Sequence, residues 1–200
     1  SIEEQNFKFY YGVMNGIKVQ KPRWKRVVSN TDNRLGELIG QIYVDKYLPK
    51  GSKEKLLEIG NNIKSVYAER MKKLDWMSDE TKEKALFKLS KIVMKVGYPD
   101  QWKDMSKMEI TRNSYFENIK STNIWWFNFM TSKFGKPVDR NEWSMYPQTY
   151  NAYYNPSNNE IVVPACNILV PGFEGRMPDD AVLYGIIGGS TFGHEITHGF

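Results

Sequence analysis

GHEITHGF, residues Gly193 to Phe200, decides how this chain is read. It holds both histidines of the sequence, His194 and His198, four positions apart, with Glu195 directly after the first. Residues i and i+4 share one face of a helix, with Cβ atoms roughly 5 to 6 Å apart, close enough for two imidazoles to reach one zinc ion at about 2.0 to 2.1 Å. The spacing predicts His194 and His198 as metal ligands and Glu195 as a general base, placed to take a proton from zinc-bound water and pass it to a leaving amine. Average residue usage would put this pattern in a chain of such length on the order of once in a hundred. The run before it, YGIIGGSTF from Tyr184 to Phe192, is apolar and small and carries no lysine or arginine. The helix bearing the pattern is therefore predicted to be buried, where an unpaired histidine or glutamate would be costly.

A catalytic zinc takes three protein ligands and keeps a fourth position open. Only two histidines exist and the chain stops two residues after the second, so the third ligand is expected downstream, outside this chain, and the 200 residues read as a piece of a longer protein. Without that ligand, little or no activity is expected of these residues alone. The residues by themselves also fit a non-catalytic module that binds a peptide or a partner on a peptidase-like scaffold.

With 40% hydrophobic, 14% aromatic and 26% charged residues, the sequence supports a sizeable core. Its net charge of +5 does not point to nucleic acid, because Lys and Arg alternate with Asp and Glu along helical stretches such as Ser52 to Lys73, the pattern of a solvated face. Cys166, the single cysteine, reads as a small buried hydrophobe, since no histidine outside the metal pair could activate it. Apolar runs are too short for a membrane span, and no signal peptide is visible.

The first two thirds read as helical. Arg34 to Leu48 places Leu35, Leu38, Ile42 and Tyr43 near one face before Pro49 and Gly51. Ser52 is expected to cap a second helix reaching about Asp75, and Ser78, followed by Asp79 and Glu80, a third that carries Leu86, Leu89, Ile92 and Val93 towards Gly97 and Pro99. A fourth needs Phe116, Ile119, Trp126, Phe127 and Met130 and ends at Gly135 and Pro137. The aromatics Trp125, Trp126 and Phe127 are expected to pack between helices. Beyond Pro137, Gln148 to Tyr154 and Glu160 to Val163 read as strands joined by Asn155 to Asn159, a β-hairpin whose edge could hold an extended peptide. The fold class is thus mainly α with a small β-hairpin, divided into a mostly helical part, residues 1–138, and a part carrying the hairpin and metal helix, residues 139–200.

In combination, Asn151 to Tyr154 (NAYY), Asn159 to Ile161 (NEI), Pro164 and Ala165, then GHEITHGF, resemble the neprilysin family of zinc peptidases, which includes the endothelin-converting enzymes and bacterial oligopeptidases. The stretch Pro22 to Lys25 and the helix into Tyr47, Leu48 and Pro49 are similar to the same family's helical region. The resemblance implies a helical lobe facing the start of a thermolysin-like catalytic lobe, with one zinc ion and oligopeptide substrates cut before hydrophobic residues. It carries over His194 and His198 as ligands, Glu195 as base, Asn151 and Ala152 as contacts that align the peptide, and Ile168 and Phe173 as apolar residues of the pocket beyond the scissile bond. The family's third ligand is a glutamate several tens of residues past the histidines, which would come from the remainder of the same polypeptide. Around Cys166 and Asn167 the family more often has one residue fewer, and Ser190 and Thr191 replace bulkier apolar residues. Val27 near the tryptophan motif, where animal members often carry a cysteine, fits a bacterial-type member. An exported location, periplasmic, cell-surface or extracellular, is the address the resemblance implies.

Overall fold

Pro22 and Pro49 bracket the first long helix, as expected of residues that cannot extend one upstream or downstream. In the computed structural model, which describes residues 1–200, α1 (Ile2–Asn6) continues as a π-helical stretch, Phe7–Val13. Next come α2 (Arg23–Tyr47), α3 (Ser52–Lys72), α4 (Asp79–Ser90), β1 (Val93–Gly97), α5 (Tyr115–Thr131), β2 (Tyr153–Asn155) and β3 (Glu160–Pro164). A 3₁₀ turn, Ala165–Ile168, leads on to α6 (Asp180–Leu183), a π-helical stretch Tyr184–Gly193 and α7 (His194–Thr197), which form one unbroken helical run.

The chain divides into two compact units, Ser1–Gly36 and Glu37–Phe200. The first is short and leaves large apolar side chains such as Phe9, Val13, Trp24 and Val28 exposed. Ser1 caps α1 by accepting from Glu4 N at 3.2 Å, and Arg26 pairs with Glu3. The boundary falls beside Leu35, whose φ of −118° and ψ of 17° break α2. The division expected at residue 138 lies inside the second unit.

In that second unit α3 is the central helix. Leu56, Ile59, Gly60, Ile63, Tyr67 and Met71 recur at helical spacing along one face, and Leu56, Ile59 and Met71 are buried in the core with Leu89, Ile92, Val96, Ile161, Val163, Leu183, Ile187, Phe192 and Ile196. Gly60 permits the closest approach. A Cβ there would stand 2.6 Å from Met94 Sδ and 2.9 Å from the Phe192 ring.

The expected hairpin exists as two strands of a three-stranded sheet, in the order β1-β3-β2. Strand β2 pairs antiparallel with β3, Tyr154 opposite Ile161, and is shorter than predicted. Upstream of it the chain turns tightly, with Thr149 N donating to Tyr146 O and Asn151 N to Thr149 O. The third strand corrects the sequence reading. Val93–Gly97 follows helical spacing from Leu86 and Leu89, yet α4 stops at Ser90 and the segment pairs in parallel with β3, Met94 opposite Ile161. Its β-branched valines suit a half-buried pleated surface, and burial against β3, all five of whose residues are buried, outweighs the weak helical periodicity.

Other expectations shift in detail. Ser52 opens α3 but does not cap it. Gly51, at φ +80°, occupies the cap position, and the Ser52 hydroxyl donates to Pro49 O at 2.6 Å. Ser78 does cap α4, accepting from Thr81 N at 3.3 Å. On α2 the buried face is Gly36, Glu37 and Gly40 rather than Leu38 and Ile42, which are exposed. Glu37 is satisfied there by Lys103, through the backbone N at 2.9 Å and Nζ at 3.1 Å. Packing of α5 between helices is not seen. Thr122 is its one buried residue, Phe127 is exposed, and Trp125 stacks on Phe129 of the same helix at 5.3 Å. Cys166 is half-buried, and its thiol lies against the Tyr43 hydroxyl, whose pKa is pushed up chiefly by burial and then by that hydrogen bond.

Candidate metal centre

The helical run Asp180–Thr197 has a sealed face and an open one. Leu183, Ile187, Phe192 and Ile196 point into the core against α3 and β3. Ile186, Ser190, His194 and His198 are exposed. The predicted burial thus applies to half of the helix. The histidines stand on its accessible side, where a ligand can reach them, and Glu195 is buried, with 6% of its surface exposed.

The two imidazoles are brought together as the spacing requires. His198 Nε2 lies 3.1 Å from His194 Nε2, and the rings are perpendicular, with centroids 4.7 Å apart. Two nitrogens at tetrahedral corners around one zinc, each about 2.0 to 2.1 Å from it, are separated by about 3.3 Å. The pair therefore fits a single zinc with little adjustment. No third His, Cys, Asp or Glu of the chain joins them in a cluster. Glu195 has neither ion pair nor hydrogen bond. Its carboxylate oxygens are not sealed from solvent, so an otherwise buried side chain presents a carboxylate with no protein partner to the open side of the site.

Local packing explains why the ligands sit here. The run is π-helical through Gly193 and tightens to α geometry only at His194. Tyr67 of α3 meets it at that junction, with its hydroxyl 2.7 Å from Gly193 O and 2.6 Å from Thr197 Oγ1. Thr197 Oγ1 also donates to Gly193 O at 2.8 Å. Past the second histidine, Lys88 Nζ donates to Gly199 O and lies 5.8 Å from the Tyr154 ring centroid and 5.4 Å from that of Phe200. The Lys88 carbonyl accepts from Asn159 Nδ2 at 3.1 Å, and Asn159 Oδ1 accepts from Tyr154 OH at 2.9 Å. Helix, α4 and sheet edge are thereby tied to one another.

Strand β2 is an edge of the sheet and packs beside α7. Just before it, Asn151 is exposed and Ala152 packs on the core. Asn151 Oδ1 accepts from Ala152 N at 2.9 Å. Its carbonyl accepts from the buried Asn167 Nδ2 at 2.8 Å, and the same amide reaches Pro164 O at 3.0 Å. Ile168 is in the core at 1% exposure. Phe173 is half-buried, with the Arg176 guanidinium 4.6 Å from its ring centroid. Tyr67, Lys88 and Asn167 were not singled out for this site from sequence. Nothing in the local pattern marks Tyr67 or Lys88, which lie far upstream of the histidines they help to hold. Asn167 stood out only as part of the extra residue after Pro164 and Ala165.

Known proteins resemble this chain in sequence and in fold. The chain is 33% identical over 196 residues to Neprilysin-11 of Caenorhabditis elegans, covering 94% of this chain and 23% of that protein. It is 35% identical over 206 residues to human endothelin-converting enzyme 1, covering 99% and 26%. It thus spans about a quarter of the length of these curated relatives. Among solved structures it superposes with a TM-score of 0.85 and 40% identity on the inhibitor complex of the Mycobacterium tuberculosis zinc metalloprotease ZMP1, covering all of this chain and 30% of that one. Residues 1–99 match the N-terminal model described as Peptidase family M13, and residues 151–200 match the peptidase model of the same description. With both ends of the chain matched by one family and the fold shared throughout, the chain belongs to peptidase family M13.

Proposed function

We propose that this chain carries the zinc-binding core of an endopeptidase that hydrolyses oligopeptides. The observation that supports this most is the pair of Nε2 atoms 3.1 Å apart, with Glu195, a carboxylate without a protein partner, directly after the first histidine. His194 and His198 would hold the metal, and a third ligand from beyond these 200 residues would complete the set. Bound there, zinc supplies a Lewis acid that polarises a carbonyl and brings the pKa of water towards neutrality.

The protein's own residues do the rest. Glu195 takes a proton from the attacking water on its carboxylate as the C–O bond forms and returns it to the amide nitrogen as the C–N bond breaks. The free edge of β2 offers backbone groups to an extended peptide, with Asn151 and Ala152 aligning it and Asn167 fixing the carbonyl of Asn151. Ile168 and Phe173 belong, in this reading, to the wall that favours an apolar side chain after the scissile bond. Residues 1–138 and 139–200 act as parts of two lobes in the complete protein. Substrates are short peptides met outside the cytoplasm. No helix here is long and apolar enough to cross a membrane.

The test is zinc content and cleavage of a fluorogenic peptide by the complete protein, before and after a chelator. About one zinc per chain, loss of cleavage on chelation and its return with added zinc are expected. A protein that retains zinc and cuts no peptide in any sequence of a random peptide mixture would overturn the reading in favour of a binding module.

A further inference from the structure

We propose that Tyr67 is a positioning residue for the metal centre, holding in place the turn of helix that carries the two histidines. This inference rests on the zinc reading above. The helix changes type just before the first histidine. Ten residues, Tyr184–Gly193, are π-helical, and α geometry begins at His194. In a π-helix the hydrogen bonds run from i to i+5, so the number of residues per turn, and with it the angular spacing of side chains, changes at this junction. On the turn that follows, His194 and His198, four residues apart, bring their Nε2 atoms to 3.1 Å.

The switch happens where Tyr67 touches the helix. Its hydroxyl bridges Gly193 O and Thr197 Oγ1, the residues immediately before the two histidines, at 2.7 and 2.6 Å. Thr197 Oγ1 reaches Gly193 O at 2.8 Å. Three oxygen–oxygen contacts share the two hydroxyl hydrogens, so each oxygen is engaged whichever way the hydrogens point. This triangle holds Gly193 and Thr197 at i, i+4 separation, and the Tyr67 ring is anchored against the core of α3. Tyr67 touches neither histidine and acts through the backbone that carries them.

A built-in control exists on the same pair of helices. Asn62 Nδ2 of α3 donates to Tyr184 OH at 2.5 Å, ten residues before His194. If Tyr67 merely pinned the helical run to α3, Tyr184→Phe would matter as much as Tyr67→Phe.

The experiment measures zinc affinity of the full protein by competition with a chelating dye, alongside thermal unfolding of the metal-free form. Tyr67→Phe is expected to weaken zinc binding about tenfold, the low end for groups outside the ligand set, and Tyr184→Phe to leave it within about twofold. Thr197→Val should match Tyr67→Phe, the double variant should add little, and Thr197→Ser should restore affinity because the hydroxyl returns. Tyr67→Phe within about twofold of wild type, or an equal loss in Tyr184→Phe, would overturn the inference while leaving the zinc site standing. A wild-type protein without measurable zinc affinity would sink the zinc reading and this inference together.

Discussion

The helical run Asp180–Thr197 and the helix α5 are both rich in large apolar side chains, yet the first buries Leu183, Ile187, Phe192 and Ile196 while the second buries only Thr122. Hydrophobic content does not separate them. What separates them is how closely a neighbour can approach. The metal-bearing run meets α3 where Gly60 and Gly188 leave room. A Cβ on Gly188 would lie 3.4 Å from Ile59 Cγ2 and Ile63 Cδ1. Helix α5 contributes nothing to the main core and is held by polar and cation–π ties: its Ser114 cap, Lys133 paired with Glu142 at 2.5 Å, and Lys103 and Lys133 over the Phe129 ring at 5.9 and 4.4 Å. It flanks a cavity of about 700 Å³ lined by Asp104, Met108, Trp125 and Phe129 among others. A precise site was built on the element with the dense support, as a preorganised centre requires.

The comparison can be broken most severely at the site itself. His194→Ala should lower zinc affinity at least about a hundredfold and abolish cleavage, because one of few ligands is lost, whereas Trp125→Ala in α5 should leave zinc affinity unchanged. Dye competition reads both, and a matching loss at Trp125 would mean that α5 supports the centre. Next in size is a matched pair of core and surface truncations. Phe192→Ala, at 0% exposure, should cost about 3 to 5 kcal/mol in urea unfolding. Phe127→Ala, at 68%, should stay within about 0.5 kcal/mol. Equal costs would show that α5 is covered after all.

A similar contrast applies to charge. Lys95 pairs with Glu160 at 2.7 Å with both side chains nearly buried, and Glu160 also accepts from Asn155 and Asn158 at 3.5 and 3.3 Å. Lys95→Met leaves that carboxylate unpaired and should cost about 3 kcal/mol or more. Lys84→Met removes an exposed pair on α4 and should cost no more than about 0.5 kcal/mol. A smaller effect than either buried substitution, Phe192→Ala or Lys95→Met, is expected at the close approach. Gly60→Ala should destabilise by about 1 to 3 kcal/mol, through overpacking against Met94 and Phe192, with unchanged peptide specificity. A neutral result would show that α3 and the metal helix have slack between them.

Much of this was legible in the chain before any coordinates. The candidate ligand pair and base could be read because the i, i+4 rule is local, and Ser78 announced its helix through a cap that forms within three residues, whereas the Ser114 cap of α5 was not read from the sequence. Strand β1 was not legible. Its partner β3 begins 67 positions later in register, Val93 against Glu160, and a parallel pairing leaves no mark on local periodicity. The exposed face of α2 was misassigned because Glu37, a charged residue, is buried by a lysine that the sequence places 66 positions away. The open side of the metal helix was missed for a related reason. An apolar run shows that a helix can be buried, and the direction from which its neighbours come is decided elsewhere in the chain.

The most direct test of the central claim is to separate metal binding from chemistry at Glu195. Zinc content and peptide cleavage are measured on the same samples of the complete protein, wild type and Glu195→Gln, whose amide keeps the shape and loses the base. About one zinc per chain in both, with cleavage lowered at least about a thousandfold in the variant, is the result this account predicts. Undiminished cleavage by a fully zinc-loaded Glu195→Gln protein would contradict it.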